Sequence, residues 1–68
     1  MKLVFQASSG AERTIAYVND DDEVMGEIKR FCQERDFKIP YTRTWEKDGV
    51  VTFDVGSHTE FFKLYKDN

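Results

Sequence analysis

Residues able to do chemistry are few in this chain, and the sequence keeps them apart. His58 is the single histidine and Cys32 the single cysteine. Ser57 adjoins His58 and Asp54 lies four residues before it, so a serine, a histidine and a carboxylate share one short stretch. A nucleophile, a base and an orienting acid must stand in a line of hydrogen bonds, which neighbours in sequence do not form. A serine capping a helix, with a histidine in the first turn, accounts for the same residues, and the positive end of that helix would oppose an imidazolium. Cys32 falls on an apolar stripe, where a thiol acts as a small hydrophobe; a reactive one needs exposure and cationic neighbours, and Arg35 is the candidate it has. One histidine and one cysteine cannot furnish a structural zinc site. Asp20, Asp21, Asp22 and Glu23 lack the alternate spacing and the glycine of a calcium loop and suit the start of a helix. The glycines, at positions 10, 26, 49 and 56, are too dispersed to cradle a phosphate. The expectation is a protein with no catalytic residue, no metal and no cofactor.

Binding chemistry is better represented. Tyr41, Arg43, Trp45 and Lys47 alternate along one segment, so a strand there would place two rings and two cations on one face, able to stack on unpaired bases and meet phosphates, with Lys38 nearby. Phe61, Phe62, Leu64 and Tyr65 form a second apolar cluster, too wide for a narrow helical stripe; Phe61, Phe62 and Tyr65 are its candidates for contact with a partner.

The elements that must position these residues follow from local pattern. Lys2-Leu3-Val4-Phe5-Gln6 and Glu12 to Val18 read as a hairpin around Ser8-Ser9-Gly10, and Tyr41 to Trp45 and Val50 to Val55 read as a second around Lys47-Asp48-Gly49, with Pro40 at a strand start. Between them, Val24, Ile28, Phe31, Cys32 and Arg35 recur at helical spacing behind the acidic cluster Asp20 to Glu23. Gly26 inside this helix costs roughly 1 kcal/mol against alanine, and close packing is its expected cause. Ser57 and Glu60 have the spacing of a capping box, which predicts a second helix over about 58 to 66. The order ββαββα predicts an α+β fold: a four-stranded, mainly antiparallel sheet with two helices packed on one face, as a single domain spanning 1–68.

Register decides what the second hairpin displays. A two-residue Asp48-Gly49 loop sets Trp45 opposite Thr52, Arg43 opposite Asp54 and Lys47 opposite Val50, exposing the aromatic and basic stripe. A three-residue loop ending in a bulge sets Trp45 opposite Val51, Arg43 opposite Phe53 and Tyr41 opposite Val55, burying the rings. The register that unites apolar residues is the expected one, hence the three-residue loop. The first hairpin supports it, since its Ser8-Ser9-Gly10 loop would pair Leu3 with Ile15, Phe5 with Arg13 and Met1 with Tyr17.

Composition bounds the rest. Sixty-eight residues, 40% hydrophobic and 34% charged, suit one small soluble domain whose core alone supplies little stability. The single cysteine precludes an intramolecular disulfide, no apolar run approaches the roughly 20 residues that span a bilayer, and no leader precedes the first strand, so the expected location is the cytoplasm, away from membranes. The net charge of −3 is uneven: positions 19–36 carry seven acids against three bases, and positions 37–47 three bases against one acid. An acidic domain gains little by counterion release over its whole surface, which disfavours non-specific duplex binding. The expected function is a non-enzymatic protein-interaction or regulatory module, an accessory protein of bacterial or phage type, which binds another protein or itself through a sheet edge or the C-terminal aromatic helix. The alternative is a single-stranded nucleic-acid binder using Tyr41, Arg43, Trp45 and Lys47, and it requires the two-residue loop.

Overall fold

The computed structural model describes residues 1–39, 41–56 and 59–66. Five strands, β1 (Lys2–Gln6), β2 (Glu12–Tyr17), β3 (Arg43–Lys47), β4 (Val50–Asp54) and β5 (Phe61–Tyr65), form one sheet in the order β2-β1-β5-β4-β3, with every neighbouring pair antiparallel. A single turn of 3-10 helix (Asp21–Glu23) runs into the helix α1 (Val24–Glu34), which packs against one face. The described residues form an α+β architecture with five strands and one α-helix, which overturns the expectation of four strands and two helices.

The segment expected as a second helix is the strand β5, in the middle of the sheet between β1 and β4. Ser57, half of the expected capping box, lies outside the described residues, as do His58 and Pro40. The reason is tertiary. Phe62 and Leu64 alternate with Phe61, Lys63 and Tyr65, so in an extended chain the former enter the core while the latter face the other way. As a helix the same residues would have left β1 and β4 with unpaired backbone edges, which pairing with β5 satisfies on both sides. The aromatic width that is excessive for a helix is normal for a central strand.

The first helix follows its pattern. Asp20 caps the 3-10 turn that leads into it: the Asp20 carboxylate accepts from the Glu23 amide at 3.3 Å, and the Glu23 carboxylate accepts from the amides of Asp20 at 3.3 Å and Asn19 at 2.8 Å. Val24, Ile28, Phe31 and Cys32 are buried against the sheet, and Arg35 lays its guanidinium 4.4 Å from the centre of the Phe31 ring. Phe5, Phe31 and Phe62 meet with ring centres 4.9 to 5.5 Å apart, edge to face or tilted, and join Leu3, Ile28 and Leu64 in the core. Gly26 is exposed, and a β-carbon there would meet nothing within 4 Å, so packing does not explain it.

The first hairpin keeps its Ser8-Ser9-Gly10 loop, with Gly10 at φ +93°, and pairs Phe5 with Arg13. Further along, a bulge shifts the register, so that Leu3 faces Ala16, not Ile15, and Lys2 faces Tyr17. The bulge breaks the alternation and lets Ile15 and Ala16, consecutive apolar residues, both pack against the core. Tyr17 is thereby sent to the far side, away from Met1.

Candidate functional site

The second hairpin takes the two-residue loop. Asp48 and Gly49 have φ of +55° and +79°, and the pairs are Arg43 with Asp54, Trp45 with Thr52 and Lys47 with Val50. The expected three-residue loop is thus corrected, and the cause is position. β3 is an edge strand, and all of its residues are exposed, those on the helix side included. A helix about 10 Å across covers only two or three strands spaced about 4.8 Å apart, so no core reaches β3 to select its register. The turn decides instead, since two positive φ angles match the twist of a hairpin and Asp-Gly supplies them.

This register assembles an open face. Opposite α1, the sheet presents Lys47, Val50, Tyr65, Lys2 and Tyr17 in one row across the strands and Trp45, Thr52, Lys63, Val4 and Thr14 in the next. Arg43 and Asp54 lie in a further row, as do Phe61, Gln6 and Glu12. The described residues pack no helix over it. Trp45 is 46% exposed and stands edge-on to Phe61 with ring centres 6.2 Å apart. Tyr41, just before β3, is 39% exposed. The Arg43 guanidinium lies 6.0 Å from the Tyr41 ring centre and 5.9 Å from that of Trp45. Of the residues singled out from the sequence, Tyr41, Arg43, Trp45, Phe61 and Tyr65 therefore share this face with Lys47. Phe62 does not: it is 1% exposed, in the core on the helix side.

Asp54 anchors the basic end. Its side chain is fully buried, one oxygen accepting from Arg43 Nη2 at 2.7 Å and the other from the Gly56 amide at 2.9 Å. The hydrogen bond to Asp54 pushes the Arg43 pKa up. At the other end Glu12 binds two partners: Tyr65 donates its hydroxyl to Glu12 Oε1 at 2.9 Å, and Lys63 Nζ lies 3.7 Å from Oε2. Lys2 stands 5.2 Å from the Tyr65 ring centre. Lys2, Lys63 and Glu12 were missed from the sequence. The signal was there in the alternation of Phe61, Lys63 and Tyr65, which the capping spacing of Ser57 and Glu60 outweighed.

The charge is segregated by face. The open face carries Lys2, Arg43, Lys47 and Lys63 against Glu12 and Asp54, whereas the acidic cluster Asp20 to Glu23 and the glutamates of α1 belong to the helix layer. None of the three comparisons with known proteins adds to this: no family model matches the chain, and no curated protein and no solved structure matches it. Among the described residues no group of three or more histidine, cysteine, aspartate or glutamate side chains could hold a metal ion, and no helix is long and apolar enough to cross a membrane.

Proposed function

We propose that the protein is a binding module whose open sheet face holds single-stranded nucleic acid, with Trp45 and Tyr41 stacking on unpaired bases and Lys47, Lys63 and Lys2 meeting phosphates. The observation that carries this reading is the two-residue register of the β3–β4 hairpin, because it puts the rings and the cations on one uncovered surface. Stacking on exposed aromatics tolerates any base, and backbone cations give affinity that falls with salt. The acidity of the helix layer turns the basic face toward a polyanion and repels it elsewhere, so a net charge of −3 is compatible with a local site. The reading involves binding without catalysis, in a cytoplasm where the lone Cys32 stays reduced.

The test is Trp45 fluorescence. Expected are a red-shifted emission maximum, ready quenching by acrylamide, and protection from quenching on titration with oligothymidylate or oligouridylate at low salt, reversed as salt is raised. An unresponsive tryptophan together with unchanged oligonucleotide mobility at low salt overturns it.

A second reading has its own observation: β3 is an edge strand whose five residues are all exposed, which suits addition of a strand from another protein or a second copy. Thr44→Pro would abolish such pairing while leaving the open face intact. If a partner is retained by that variant, the edge is not its site.

A further inference from the structure

Arg43 differs from the other cations of the open face in being held by a hydrogen bond to a fully buried carboxylate. The lysines end in single ammonium groups on flexible stems, whereas the Arg43 guanidinium is a planar fork with one N–H given to a carboxylate that is itself buried and tied to the Gly56 amide. The Arg43 side chain nevertheless remains 59% exposed. It lies between two exposed rings, the places where a base would stack. A fork fixed at that position offers donors only, in one plane. Guanine presents two adjacent acceptors, O6 and N7, to such a fork, whereas adenine presents N7 beside an amino donor that would oppose it.

Resting on the nucleic-acid reading above, we infer that the Arg43–Asp54 pair makes this face prefer guanine to adenine in a single strand. A fork can also grip a phosphate bidentately, but that contact is the same for every base and gives no preference among them; a difference between guanine and adenine is what a fork aimed at a base edge adds. The pair is a positioning device, in which Asp54 acts through Arg43.

The experiment titrates the intact protein with short oligothymidylates that carry one central guanine or one central adenine, followed by Trp45 fluorescence. The guanine strand is expected to bind about five- to tenfold more tightly, the lower part of the range for a bidentate contact because the site is half open. Replacing that guanine by 7-deazaguanine, which lacks the N7 acceptor, removes most of the preference with the protein unaltered. Arg43→Lys keeps the charge without the fork and brings the ratio close to one, while Lys47→Ala weakens both strands alike and leaves the ratio intact. Asp54→Asn, checked for folding by circular dichroism, lowers the ratio without removing a cation. Equal affinity of the two strands for the wild-type protein overturns the inference and leaves the nucleic-acid reading standing. Failure of both strands to bind at low salt overturns both.

Discussion

The two hairpins have similar sequences of events, a strand, a short loop ending in glycine and a return strand, yet their registers have different origins. In β1–β2 one strand is central and carries Leu3, which is fully buried, so the core dictates pairing even at the cost of a bulge that places Ile15 and Ala16 together on the helix side. In β3–β4 the first strand is beyond the helix, and turn geometry dictates pairing. The arginines mark the difference. Arg13 faces Phe5 from the first hairpin's edge, whereas Arg43 faces a buried carboxylate. Register follows whichever constraint is present locally: apolar burial under a helix, backbone stereochemistry outside it.

That contrast can be broken from its core side with the largest effect. Phe62→Ala removes a ring in contact with Phe5 and Phe31, and it should lower unfolding free energy by about 3–5 kcal/mol, enough to unfold a domain of this size in a urea titration. Next in size, Arg43→Ala takes the guanidinium hydrogen bond from the buried Asp54 carboxylate and should reduce the melting temperature by several degrees, whereas Arg13→Ala should leave it nearly unchanged. Equal responses of the two arginines would mean that the hairpins do not differ as described. Smaller again, Gly49→Ala forces a side chain to φ +79° and should cost roughly 1–2 kcal/mol by chemical denaturation. Gly26→Ala, in open space on α1, should add about 0.5–1 kcal/mol, and a loss there would show a packing role the structure lacks.

The smallest effect lies at alkaline pH. The hydrogen bond to Glu12, with some burial, raises the Tyr65 pKa above its ordinary 10.0, and burial raises that of Cys32 above 9.0. The folded state holds both protons more tightly than the unfolded chain, so their contribution is intact below about pH 9 and is lost as pH rises through the folded values. Stability measured against pH should therefore decline above that point, and Tyr65→Phe should flatten the upper part of the decline. A decline unchanged in that variant would show that the Tyr65–Glu12 bond does not persist in solution.

Much of this protein was determined by local sequence. The capping box of Asp20 and Glu23, the stripe Val24, Ile28, Phe31 and Cys32, and the Gly10 turn are interactions among residues a few positions apart, and their energetics need no knowledge of the rest of the chain. So was the inventory of the open face, since Tyr41, Arg43, Trp45 and Lys47 must share a side of any strand through them. Tertiary structure alone decided whether that side is core or surface, and whether residues 61–65 wind or extend. Both depend on the rest of the fold: β5 is a strand because β1, some sixty positions away, and β4 each have an edge to pair, and the stripe is exposed because the turn, where the helix does not reach to select the register, sets it on the sheet face opposite α1. Local pattern sees periods and caps; it does not see which edge is vacant or how far a helix reaches across a sheet.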